Sequence, residues 1–114
     1  MDVINIKTFV PSKDYEISKL FYSELGFNPQ FVTDDLTLFE NGDSCFFLQR
    51  FYHEELANNF MLQICVSDIL TAFKLCSSSK HKTKITSVQD EPWGKVFYLW
   101  GPAGELLHIT QLGN

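Results

Sequence analysis

The sequence contains no run of apolar residues near the roughly 18 that a membrane-crossing helix needs. Its first residues, MDVINIKTFV, are acidic at the start and lack a long apolar stretch, so they do not read as a secretory leader. Positive charge is short: nine Lys and Arg stand against 14 Asp and Glu, a formal net charge of −5. That balance excludes the broad basic face of a general nucleic-acid binder. It suits a cationic ligand. Cysteine is scarce, with Cys45, Cys65 and Cys76 forming no CxxC pair and an odd total. Reduced thiols in a cytoplasmic setting are expected. His53–Glu54–Glu55 lacks the second histidine of a zinc-protease helix. There is no Gly-rich phosphate loop, and no cysteine has a base near it in sequence.

What is present is apolar and aromatic. Hydrophobic residues make up 45% of 114 residues and include 11 Phe, enough for one domain with its own core. Residues 3–10 read as a β-branched strand ended by Pro11. Ile17, Leu20, Phe21 and Leu25 recur at helical spacing, with Asp14 as an early acid and Gly26 as the stop. Residues 27–33, 36–40 and 44–51 read as strands, the last two joined at Asn41–Gly42, a strong hairpin signal. HEELANN then breaks the pattern. Residues 60–66 restart it as a strand, and Ser67 opens a second helix through Leu75, with Asp68 in its first turn. Residues 84–88, 96–100 and 105–112 are three further strands. Each half therefore reads strand, helix, strand, strand, strand, a duplication with units of about residues 1–51 and 60–114 in one domain. Setting FENGDSCFFLQ against LWGPAGELLHITQ glycine to glycine matches Gly42 to Gly104 and Phe46 to His108.

Three phrases now stand in order: FYSELGF after the first helix, FVTDDL soon after it, and PWGKVFYLWGPAG followed by His108. With the paired βαβββ units, they resemble the vicinal oxygen chelate superfamily of glyoxalases, dioxygenases and bleomycin-resistance proteins, and most of all its bleomycin-resistance branch. The resemblance covers nearly the whole chain. It implies an α+β fold in which two tandem βαβββ units form a curved mixed sheet, paired as a homodimer with two clefts at the subunit interface. In enzymes of this superfamily a divalent metal is held by the first and last strands of each unit. The matching positions here are Lys7, Phe46, Met61 and His108. A lysine brings positive charge, a phenylalanine has no lone pair and a methionine is a soft, weak ligand. The expectation is therefore no metal and no cofactor.

If His108 faces the cleft, strand alternation adds residues such as Gln63 beside Met61 and Phe9 beside Lys7. A mostly apolar lining with a few polar points suits a flat organic molecule. The resemblance gives Trp93 the role of stacking on a planar ligand, with Leu36 covering the other ring face. Blander roles stand beside these: a histidine bonded to a nearby carbonyl, a tryptophan in a dimer contact, and Asp34, Asp35, Asp90 and Glu91 as solvated turn acids. The basic stretch SSSKHKTK, residues 77–84, reads as a solvated loop or an anion contact. Metal-free binding and sequestration of a small planar, cationic compound is the expected function. The alternative is a glyoxalase-like lyase with His108 as its base or sole ligand. A small-molecule ligand is the expected partner, with no nucleic acid and no membrane.

Overall fold

Asp14 and Asp68 set the two long helices. In the computed structural model, which describes residues 1–113, Asp14 accepts the backbone N–H of Ile17 and starts α1 (Tyr15–Glu24). Asp68 accepts those of Leu70 and Thr71 and starts α3 (Ile69–Ser77). Each side chain satisfies donors that the first helical turn leaves free. Tyr15, Ser18, Phe21 and Tyr22 recur at helical spacing and form the buried face of α1.

The first unit contributes β1 (Phe9–Val10), β2 (Asn28–Thr33), β3 (Leu36–Asn41) and β4 (Ser44–Gln49), in the order β1-β4-β3-β2. A short helix, α2 (Glu54–Asn59), leads to the second unit. There β5 (Met61–Cys65), β9 (Leu106–Leu112) and β8 (Gly94–Trp100) lie side by side, and β6 (Lys84–Ile85) and β7 (Gln89–Glu91) both pair with β8. Each sheet has one parallel pair, β1 with β4 and β5 with β9, and is otherwise antiparallel. The fold is thus α+β from two similar units. They form two mixed sheets, one from each unit.

Three local expectations change. The strand expected over residues 3–10 is only Phe9–Val10. Phe9 lies opposite Phe47, so counting back along the parallel pair puts residue 6 opposite Ser44, the first residue of β4. Anything earlier overruns its partner strand. HEELANN holds α2, whose first turn carries Glu54 and Glu55, favourable charges at a helix start. The strand expected over 84–88 is only Lys84–Ile85, and β7 follows it at Gln89–Glu91.

One core serves both units. Tyr22, Phe39 and Phe46 pack with Leu48 from the first unit against Leu99, Leu107 and Ile109 from the second. Ring pairs such as Tyr22–Phe46, at 4.9 Å between centroids, hold the first-unit side together edge to face. A buried polar bond crosses between the units. The Tyr22 hydroxyl donates to Glu105 Oε2 at 2.7 Å, and Ala103 N–H donates to Oε1 at 3.0 Å. A Cβ on Gly101 would stand 2.4 Å from that Oε1, so only glycine leaves room for the carboxylate. A second tie joins Glu24 to Ser79 and His81, at 2.9 and 3.1 Å.

Burial pushes the Glu105 carboxyl above the ordinary range, outweighing the lowering pull of the Tyr22 hydroxyl and the backbone donors. Burial, then the facing carboxylate, likewise raises Tyr22. The folded chain therefore holds the Glu105 proton to higher pH than the unfolded chain does. The group stabilises most at low pH and loses that contribution as pH rises through its folded pKa. The stability of the native protein relative to Glu105→Gln is expected to fall from about pH 4 toward neutrality, by thermal melts across that range. A difference that stays flat or grows with pH would contradict this.

Candidate ligand-binding walls

On each sheet the helices cover one face. Phe97, Leu99, Leu107 and Ile109 face the core, with Phe73 of α3 edge-on to Phe97 at 5.2 Å. Alternation sends Tyr98, Trp100, Leu106 and His108 to the other face. Register turns that face into rows. Lys84, Trp100, Leu106 and Met61 form one row across four strands. Tyr98, His108 and Gln63 form the next, and Val96, Thr110 and Cys65 the third. The first unit has a matching wall, where Phe9, Phe47, Leu38 and Gln30 form one row and Gln49 and Leu36 lie in another.

The two walls are related residue by residue. Phe9 and Gln63 each lie five positions before a helix cap, and their partners across the parallel pair are Phe47 and His108. The counterpart of His108 is therefore Phe47, and the Phe46 assignment is corrected. Phe46 is 5% exposed and packs among Tyr22, Phe27 and Phe39. The turn glycine stands five residues before Phe47 and four before His108, and one residue reverses the face. Phe46 does share one place with a wall residue: a slot of about 350 Å³ between β4 and β5, lined also by Thr8, Cys45, Gln63 and Cys65.

The other expected residues divide between the units. Met61, Gln63 and His108 share the second wall. Phe9 and Leu36 share the first, where Phe9 stacks on Phe47 at 4.9 Å. Lys7 lies ahead of β1 and donates to Asn5 Oδ1 at 2.8 Å. Trp93 is 46% exposed in the turn between β7 and β8. Its carbonyl accepts Gly113 N–H, and Gly94 behind it allows a close approach: a Cβ there would meet Gln111 O at 2.3 Å. Tyr98, Trp100 and Phe47 belong to the walls and were not singled out from sequence. The signal available was parity with His108 and with Phe9.

His108 sits edge-on to Tyr98, centroids 4.9 Å apart. Its Nε2 is buried with no hydrogen-bond partner among the described residues. A general base normally has an orienting acid or hydroxyl, and none bonds this ring. The corrected set for a metal is no better as donors: Phe9 and Phe47 have no lone pair, Gln63 is neutral, and one imidazole remains. Among the described residues no three His, Cys, Asp or Glu are grouped to hold an ion. The residues do not fit a hard divalent metal.

The rim acids are partly committed. Asp35 pairs with Arg50 and Asp90 with Lys95. Asp34, Glu40 and Glu91 have no ion pair among the described residues. No helix among the described residues is long and apolar enough to cross a membrane.

This architecture is that of the glyoxalase and bleomycin-resistance proteins. A bleomycin resistance determinant encoded on transposon Tn5 superposes with a TM-score of 0.80 at 23% identity, over 96% of this chain and 99% of that one. The bleomycin-binding protein of bleomycin-producing Streptomyces verticillus, solved with copper(II)-bleomycin, gives 0.81 at 21% identity, over 100% and 99%. TnmS3, an antibiotic-binding protein from a Streptomyces species, gives 0.83 at 16%, over 99% of both chains. No family model and no curated protein matches the sequence.

Proposed function

We propose that the protein binds and sequesters a small planar, cationic organic compound of the bleomycin-resistance type, with no protein-bound metal and no chemistry. The observation that carries this reading is the pair of walls. Each is a helix-free sheet face with half-exposed aromatic rings at its centre, Phe9 and Phe47 on one, Tyr98 and Trp100 on the other. Such surfaces suit flat ligands, and Trp93 stands exposed at the end of the second wall for stacking. The likeness to proteins solved with bleomycin supports the ligand class. The net charge of −5 and the uncommitted Asp34, Glu40 and Glu91 support a cation.

The ligand cleft belongs to a homodimer in this reading. Val3, Ile4 and Ile6 are 61%, 93% and 87% exposed in a segment outside any strand. The outer edge of β5 is unpaired, and Met61 on β5 and Phe31 on the edge strand β2 are exposed. Exposed apolar residues and open edges are what a second copy covers. Three free thiols suit a reducing compartment such as the cytoplasm. A second reading, a glyoxalase-like lyase with His108 as base or sole ligand, has the unpartnered Nε2 in its favour and the missing orienting group against it.

Bleomycin-family drugs and a panel of cationic aromatics test the binding. One of them is expected to quench tryptophan emission and, at ~1,000 times its dissociation constant, to add roughly 4 kcal/mol of stability. Trp93→Leu should weaken it by roughly 0.5–1.5 kcal/mol, or about two- to twelvefold. Neither quenching nor a raised melting temperature with any member would remove the drug-binding reading. Sedimentation is expected to show a dimer, and a monomer at micromolar concentration would contradict the shared cleft.

A further inference from the structure

Charge along β8 is unevenly arranged. At its Gly94 end, β7 supplies Glu91, opposite Gly94 and next to Trp93, while Asp90 is opposite Lys95 and paired with it on the other face. At its Trp100 end, β6 supplies Lys84, and the preceding loop carries Lys80 and Lys82. The ends are roughly 20 Å apart at ~3.3 Å per residue. Each has one of the protein's two tryptophans.

The lysines of the Trp100 end differ in their engagements. Lys82 donates to the carbonyls of Ser77 and Ser79. Lys84 has no carboxylate partner among the described residues, and its Nζ lies 4.9 Å from the centre of the Trp100 ring. Glu105, one residue before the same row, is turned inward to Tyr22. Trp100 is half-buried, pairs in register with Lys84, and has Tyr98 tilted beside it at 6.4 Å. An exposed ammonium held over an indole gains little by itself. It gains more when a ligand lays a ring on the same wall and brings an anion to it.

We propose that Trp100 and Lys84 form a second stacking subsite, which takes the anionic part of a planar ligand at the end of the wall opposite Trp93. The site rests on the proposed binding reading but reverses its charge preference at this end. A ligand spanning both ends would be zwitterionic, with its cationic part toward Glu91. The basic stretch at residues 77–84 gains a role in this way, as the positive side of an electrically polar wall.

The two indole N–H signals in a ¹H–¹⁵N spectrum, assigned with Trp93→Phe and Trp100→Phe, read the two ends separately. The probes are naphthalene-2-sulfonate and 2-naphthyltrimethylammonium, similar in ring and opposite in charge. The Trp100 signal is expected to report tighter binding of the sulfonate by roughly three- to fivefold, the scale of an exposed charge pair. Raised salt should shrink the preference. Lys84→Gln should abolish it and Lys84→Arg should keep it. Equal response of Trp100 to both probes, or a preference that survives Lys84→Gln, would overturn the subsite. The Trp93 signal tests the cationic reading on its own. If it ignores the ammonium probe while Trp100 still prefers the sulfonate, the cationic ligand fails and this subsite stands.

Discussion

A residue in a β-strand has two faces available to it, and on both sheets the helices and the shared core occupy one. Everything about the candidate site follows from which residues remain for the other. Tyr98, Trp100 and His108 are left on the second unit's wall because Phe97, Leu99, Leu107 and Ile109 fill the core. Phe9, Phe47 and Leu38 are left on the first for the same reason. Moving either strand by one residue would exchange the two sets, at the cost of exposing the core side chains. The walls are fixed by the energetics of the core behind them, whatever they bind.

The two units must also keep their mutual placement, and a polar contact contributes to it inside an apolar core. Tyr22 of α1 reaches across to Glu105 in the loop before β9. A buried carboxylate with no cationic partner is costly, and here two donors and a glycine-sized space accommodate it. The same loop sets the start of β9 and with it the row that contains Leu106. Glu24 with Ser79 and His81 ties the end of α1 to the loop before β6, where Lys84 lies. Both polar ties thus bear on the second wall.

Much of this was legible in the sequence. The acids Asp14 and Asp68 at the helix starts and the Asn41–Gly42 turn are local signals, and local signals survive into the structure. The spacing of Ile17, Leu20, Phe21 and Leu25 marked α1 but not its inner face, which is Tyr15, Ser18, Phe21 and Tyr22, with Leu20 52% exposed. Parity put Gln63 on the face of Met61, and the register sets it opposite His108, in strands without irregularity. Phe46 was misplaced because matching glycine to glycine assumes equal distances from turn to wall, and they differ by one residue. The strand at residues 3–10 was over-read because its composition is β-like while its partner ends at Ser44. α2 is six residues long, too short for a period to show. Trp100 and Lys84 lie 16 residues apart and meet only through the β6–β8 pairing, which no single stretch encodes.

The proposal that the walls take organic matter rests on their donors being wrong for a hard ion. Phe9 and Phe47 stand where their counterparts are Gln63 and His108, so one imidazole and one amide are what the four positions offer. Titration calorimetry of the purified protein with Zn²⁺, Ni²⁺, Mn²⁺ and Fe²⁺ tests this most directly. The result in keeping with the structure is no saturable site near one ion per chain, in the native protein or in His108→Ala. An ion taken up at that stoichiometry by the native protein and released by His108→Ala would contradict it.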